Sequence, residues 1–308
     1  MWTFLWMSDI HLDHLTPNER DNFLRRLKYF HFFGDEDFFK ADGILAGGDI
    51  STAARLVDDL WKLHREEDDE GTLVYYMPVY YVPGNHDYYG GSIQAMRANQ
   101  LRLHRGRRSH QIYALELSPG IRLGLHGEIG LVGHGCWGDT RSGDYWNSNL
   151  HNKMSDFLRD GISDFKHLNL TQRKELLMKL GDDAAAHLKK GCIALASDNC
   201  RHVVVLTHVP PFAESSFYEG RVSARGLPYF CCQAAGTVLE EVARQFPEVR
   251  FTVLSGHSHE EARLEVLPNL TALVRKAEYY EPSFDRVRIS VAGVEITDTI
   301  GNKGTLPL

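Results

Sequence analysis

Short apolar runs that stop at small polar clusters recur along this chain of 308 residues. Thr3 to Met7 is apolar and ends at Ser8-Asp9, and after a polar loop a helical periodicity runs from about Glu19 to Phe33. The order strand, loop, helix returns with Gly43 to Ala46 before Gly47-Gly48-Asp49, followed by a helix near Ser51 to Glu67. Val79 to Val82 then precedes Pro83-Gly84-Asn85-His86-Asp87. His202 to Leu206 precedes Thr207-His208, a helix is expected near Gln233 to Phe246, and Arg250 to Leu254 runs into Ser255-Gly256-His257-Ser258-His259.

Between these units the pattern changes. Ile112 to Leu117 and Ile121 to Leu125 flank Ser118-Pro119-Gly120 and predict a hairpin, and Gly130 to Gly133 predicts a further short strand. From about Cys136 the chain is rich in Gly, Asp, Asn and Trp, then helical from about Thr171 to Ala196. Strands near Ala262 to Val266, Leu270 to Val274, Val287 to Val291 and Val294 to Thr297 close it. Continuous apolar strands need cover on both faces. Strand–helix alternation first and antiparallel hairpins late therefore predict an α/β fold of two mixed β-sheets packed face to face and flanked by helices. Residues 1–308 are expected to form a single domain with an insertion at about 136–200.

Composition narrows the class. A hydrophobic fraction of 43% and a charged fraction of 24% are ordinary for a folded soluble protein. A net charge of −7 argues against nucleic acid as main partner, because that binding depends on clustered Lys and Arg. The basic run Arg102 to Arg108 falls where a helix ends and suits its dipole. Five cysteines without a C-x-x-C pair make a poor disulfide framework, and vicinal Cys231 and Cys232 are expected to be small buried side chains. The apolar N-terminus lacks a basic leader, and no run approaches the ~18 apolar residues of a membrane span, so a cytoplasmic protein is expected.

The polar clusters carry the chemistry. Each follows an apolar strand, where α/β proteins gather ligands. Together they offer imidazoles and carboxylates without thiolate, a donor set suited to zinc, manganese or iron. The one-residue gaps in Asp9-x-His11 and His257-x-His259 are read as strand-like alternation, which turns residues i and i+2 the same way. Gly48, Gly84 and Gly256 would let the backbone approach ions closely.

Taken in order, D-x-H, G-D, G-N-H-D, a lone His after a strand and G-H-x-H make the chain resemble the calcineurin-like metallophosphoesterases. The resemblance implies two divalent transition-metal ions. Asp9, His11 and His259 would hold the first, Asn85, His208 and His257 the second, and Asp49 would bridge both. A metal-bridging hydroxide would be the nucleophile, with His86 assisting the leaving group and Asp87 or another carboxylate orienting its ring.

The resemblance covers residues 9 to 259 but says little about 136 to 200. Protein Ser/Thr phosphatases of the family carry G-D-x-V-D-R-G, whereas this chain has Gly48-Asp49-Ile50-Ser51-Thr52. A small phosphodiester or phosphomonoester is the expected substrate, with a slight lean to the diester. A nuclease and a non-catalytic metal-binding scaffold are the alternatives. Within the insertion, Trp137, Arg141, Tyr145 and Trp146 are the candidate substrate contacts, aromatics for stacking and Arg for a phosphate oxygen. Oligomeric state is left open.

Overall fold

The computed structural model describes residues 1–32, 41–67, 73–105, 111–124, 127–158 and 160–300. Its first strands are β1 (Trp2–Met7), β2 (Gly43–Ala46), β3 (Arg65–Glu67), β4 (Leu73–Tyr76), β5 (Val79–Tyr81), β6 (Ile112–Ala114) and β7 (Ile121–Leu123). There follow β8 (Ile129–His134), β9 (His202–Thr207), β10 (Arg250–Ser255), β11 (Ala262–Leu267), β12 (Leu270–Val274), β13 (Phe284–Ser290) and β14 (Gly293–Ile300). The helices are α1 (Pro17–Phe32), α2 (Leu56–His64), α3 (Ile93–Arg105), α4 (Leu170–Ser197), α5 (Leu227–Phe230) and α6 (Gln233–Gln245).

Two six-stranded sheets result, in the orders β14-β13-β1-β2-β5-β6 and β11-β12-β10-β9-β8-β7. In the first, β1, β2, β5 and β6 are parallel; in the second, β12, β10, β9 and β8 are. The antiparallel strands lie at the margins: β13 and β14 on the first sheet, β11 and β7 on the second. A small β3–β4 ribbon stands apart.

Strand alternation decides the layers. Phe4 and Trp6 of β1 join Val204 and Leu206 of β9 and Leu254 of β10 in the core between the sheets. The intervening Leu5 and Met7 pack on the opposite face with Phe23 and Leu27 of α1 and Leu60 of α2. Val203 and Val205 pack outward against Ala184, Leu188 and Cys192 of α4 and Leu239 of α6. A strand buried on both faces has no polar side to show, which is why these runs are uniformly apolar. The architecture is helix, sheet, sheet, helix, as the alternation predicted.

One local expectation is corrected. The segments around Ser118-Pro119-Gly120 do not form a hairpin: β6 pairs with β5 in one sheet and β7 with β8 in the other. Leu115–Leu117 is a 3₁₀ turn between them, so the apolar run spans two sheets. Region 136–200 divides, as expected, into an irregular and a helical part. Its helical half, α4, starts at a capping box formed by Asn169 and Gln172 and covers the second sheet as part of the core. Only the first half is irregular.

Helix α3 ends at Arg105, so Arg102 and Arg105 do sit in its last turn, while residues 106–108 lie outside those described. So do the ends of two expected elements, Phe33 and Leu125. All five cysteines are free and buried. Among the described residues no helix is long and apolar enough to cross a membrane.

Candidate metal centre

The loops after β1, β2 and β5 of one sheet and after β9 and β10 of the other meet at their carboxyl ends. Backbone bonds lock them together: Asp9 N–H donates to Gly48 O at 2.9 Å, His11 N–H to Asp49 O at 3.1 Å, and Gly256 N–H to His208 O at 3.0 Å. The carboxylates add their own ties. Asp49 Oδ1 accepts from His86 N–H at 2.8 Å, and both Asp9 oxygens accept from His257 N–H at 3.0–3.1 Å.

Glycine is required where these loops cross. A Cβ on Gly84 would run into Asp49 Oδ1, and one on Gly256 into Asp9 Oδ2. Strand alternation, however, does not explain the one-residue gaps. Asp9, His11, Asp49, His257 and His259 have φ of 56°, 40°, 52°, 67° and 58°, so the D-x-H and H-x-H pairs lie in left-handed turns beyond the strands. Such conformations cost ~1–2 kcal/mol per residue and persist where surrounding contacts hold them, commonly at functional sites.

Side chains from these turns form two donor sets. The ligand atoms of Asp9, His11 and His259 lie within 4.8 Å of one another, as do those of Asp49, His208 and His257. Asn85 Oδ1 joins the second set, 3.1 Å from His208 Nε2. A third group joins His11 to His14 and His86. His14 stacks on His11 with centroids 5.0 Å apart and contacts Asp13 at 3.4 Å.

The donors fit cations. His11 is 1% exposed, yet neither ring nitrogen has a hydrogen-bond partner. His208 Nδ1–H donates to Gly47 O at 2.9 Å and His257 Nε2–H to Tyr229 O at 3.1 Å, since a carbonyl only accepts. These bonds turn the lone pairs of His208 Nε2 and His257 Nδ1 toward each other across 3.2 Å, an arrangement that a shared cation or proton must relieve.

Burial pushes His11 and His257 down to about 3, keeping both neutral. Burial opposes charge on His208 as well, but the Asp49 and Asp9 carboxylates outweigh it and raise His208 to about 9 in the metal-free site. Burial would raise Asp9; its pairing with His259 at 3.3 Å prevails and holds the carboxyl below its ordinary range.

His86 stands beside both sets, with Nε2 3.9 Å from Asp49 Oδ2 and its ring 4.5 Å from that of His11. Asp87 does not orient it. That carboxylate is fully buried and accepts backbone N–H bonds from Ile50, Ser51 and Gly84 at 2.8–2.9 Å, bracing two loops. The carboxylate within reach of His86 is Asp49.

The insertion candidates separate. Trp137 lines a small cavity with Asn85, Asp156, Tyr229 and His257, while also packing on Tyr88 and Phe165. The Arg141 guanidinium is engaged by Asp139 at 3.1 Å, Asp182 at 2.7 Å and Met178 O at 3.2 Å, tying the loop to α4. Tyr145 is buried with its hydroxyl on Leu170 O, and Trp146 lies at the surface beneath Lys174. The structure thus brings only Trp137 to the ligand set.

Asp156 escaped sequence reasoning. Its Oδ1 accepts from Asn85 Nδ2 at 2.9 Å and from Tyr89 Oη at 3.0 Å, so it fixes which way the Asn85 amide points. Nothing in Ser155-Asp156-Phe157 marks it, because its partner lies 71 positions earlier.

Two sheets sandwiched between helices, with paired His/carboxylate donor sets at their shared carboxyl edge, define a dinuclear metallohydrolase. The calcineurin-like phosphoesterase model matches residues 3–261, and the chain belongs to that family. It is therefore a metal-dependent hydrolase of phosphoester bonds. A dimetal phosphatase from Danio rerio shares the fold at TM-score 0.51 and 11% identity, over 97% of this chain and 98% of that one. The calcineurin-like phosphoesterase YfkN from Bacillus subtilis aligns at TM-score 0.40 and 9% identity, over 97% and 89%. A 5'-nucleotidase from Candida albicans aligns at 0.41 and 11%, over 96% of this chain and 51% of that chain. No curated protein matches the sequence.

Proposed function

We propose that the chain, as one domain, hydrolyses a small phosphodiester or phosphomonoester, with the diester favoured. The reading rests on one observation: two adjoining donor sets, Asp9/His11/His259 and Asp49/Asn85/His208/His257, with His86 beside them. Asp49 belongs to the second set, with His208 Nε2 3.4 Å from its Oδ1, and is tied toward the first, since His11 N–H donates to its backbone O at 3.1 Å and its Oδ2 lies 3.9 Å from Nε2 of His86, whose ring is 4.5 Å from that of His11. Manganese, iron and zinc all suit this donor chemistry. Two such cations, when bound, supply Lewis-acid charge to phosphoryl oxygens and make water more acidic.

The chain's own residues do the rest. Gly47 O and Tyr229 O hold the tautomers of His208 and His257, and Asp156 aims the Asn85 carbonyl inward. His86 presents a ring N–H beside the donor sets, where a departing alkoxide can take the proton. Trp137 forms the wall beside Asn85 and His257. Screening the manganese-loaded protein against phosphomonoesters, linear and cyclic diesters and short nucleic acids tests the assignment. Preference for a long strand, with salt-sensitive binding, would replace it with a nuclease.

Two predictions follow from the donor geometry. Asp156→Ala frees the Asn85 amide to rotate, so affinity of the second set should fall by ~10–100-fold, as for removal of a ligand-orienting partner. Competition titration with a chelating dye measures it, and unchanged affinity would show that Asp156 does not position Asn85.

The second concerns pH. Below about 9 a cation entering the second set must displace the proton on His208, so affinity should rise ~tenfold per pH unit between pH 6 and 8. A pH-independent affinity excludes His208 as ligand. The metal-free fold runs the other way. Because the folded pKa of His208 lies above its unfolded value, its stabilising effect is complete below about 6.5 and is lost as pH rises through about 9.

A further inference from the structure

Beside the first donor set, the chain between β12 and β13 displays two neighbouring tyrosines. Tyr279 is 47% exposed and Tyr280 64% exposed, although each is a large ring that folding ordinarily covers. Tyr279 packs its ring 4.8 Å from that of His11 and 4.7 Å from that of His259. Tyr280 lies 6.5 Å further out, with the His14 ring 5.8 Å from it and 5.6 Å from Tyr279. Three aromatic faces thus run outward from the proposed ligands.

The backbone holds this surface at a cost. Residues 278–281 form a turn closed by Glu281 N–H donating to Glu278 O at 3.2 Å, and Tyr280 sits in it with φ 66°. That left-handed position favours glycine. A tyrosine there is strained and gains little burial in return, so local folding does not explain its presence.

The flanks of the turn are tied down. Arg275, 3% exposed, is ion-paired with Asp285 at 3.1 Å and donates to Ser283 Oγ at 2.7 Å and Lys276 O at 3.0 Å. Ala277 N–H donates to His259 O at 3.2 Å, linking the turn to the H-x-H loop. Strain, anchored flanks and exposure together describe a prepared contact surface beside the reacting centre.

We propose that Tyr279, Tyr280 and His14 form a stacking platform for a nucleobase, so that the substrate is a nucleotide ester whose phosphoryl group lies at the donor sets. The proposal rests on the phosphoesterase assignment above and supplies its substrate class. A base joined through a ribose stands off from the phosphoryl group, as the platform stands off from the ligands. Its π face suits tyrosine and imidazole irrespective of base identity, so discrimination among bases should be weak.

The test uses the full chain loaded with manganese and matched substrates, 5′-AMP against glycerol 3-phosphate and the methyl diester of each. Wild type should prefer the nucleotide. Tyr280→Ala should lower the nucleotide-to-glyceryl ratio of kcat/KM by ~10-fold, acting through KM, and Tyr280→Trp should restore it, as stacking lost and regained. Binding of 5′-AMP, followed by quenching of intrinsic fluorescence, should weaken in parallel. Tyr280→Gly should lower the ratio equally while its Tm stays level or rises slightly, because relief of the left-handed strain offsets the added chain entropy. That pairing separates lost binding from lost folding.

An unchanged ratio in Tyr280→Ala, or a wild-type preference for the glyceryl esters, overturns the platform alone. Failure of wild type to cleave either class overturns the small-ester assignment. In that event unchanged 5′-AMP affinity between wild type and Tyr280→Ala overturns the platform as well.

Discussion

Replacing Asp49 by alanine is expected to empty both donor sets and lower kcat/KM on every phosphoester by more than ~10⁴-fold, beyond the whole contribution of a positioned acid. The expectation follows from position. Asp49 is 2% exposed, contacts His208 and His86 through different oxygens, and accepts the His86 N–H that orders the G-N-H-D turn. Without it, the carboxylate nearest to His208 and His257 is gone, and the remaining donors of that set, Asn85, His208 and His257, are neutral when they bind metal. Metal analysis after reconstitution, beside kinetics on a monoester and a diester, checks both parts. Two ions retained with activity intact would refute a dinuclear site built on Asp49.

The second large effect is selective. His86→Ala should keep both metals yet lose ~10²–10⁴-fold on alkyl phosphoesters, whose leaving oxygen needs a proton. On esters of an acidic phenol, which departs unaided, the loss should be smaller. His86 is suited to this role because its Nε2 lies 3.9 Å from Asp49 Oδ2 while its ring is held between His11 and Tyr89, with centroids 4.5 and 4.3 Å away. Leaving-group series for wild type and variant, measured at matched metal content, provide the test. If the ratio of mutant to wild type is flat across the series, His86 supports the turn and transfers no proton.

These contrasting outcomes matter because Asp49 and His86 lie side by side yet are assigned different work. Loss of Asp49 acts on metal content and therefore on all substrates alike. Loss of His86 acts on one bond. Asp87, next in sequence, belongs to neither, since its carboxylate is spent on three backbone donors and its removal would loosen the loops that carry Asp49 and Asn85.

How much was legible beforehand depended on distance along the chain. Apolar runs ending in D-x-H, G-D, G-N-H-D, a lone His and G-H-x-H were enough to place the layers, the site at the strand ends and its chemistry. Strands buried on both faces must be apolar throughout, and metal donors come from a short menu, so both leave marks within a few residues. The SPG segment shows the limit: Ile112–Ala114 and Ile121–Leu123 look like hairpin arms, but which sheet each joins depends on partners that only folding supplies.

By itself, then, the sequence determined the fold class and the metal-dependent phosphoesterase chemistry of the family, and it named the side chains proposed to carry it. The tertiary structure decided what each of those side chains faces. It put Asp9, His11, Asp49, His257 and His259 in left-handed turns and not on strands, drew Asp156 to Asn85 across 71 positions, and spent Asp87 and Arg141 on structure. It also brought the Tyr279–Tyr280 turn beside His11, far away in sequence. The physical reason is that hydrophobic periodicity and ligand chemistry are local properties of a chain, whereas hydrogen-bond partners, ring contacts and backbone strain arise only when distant loops are packed against one another.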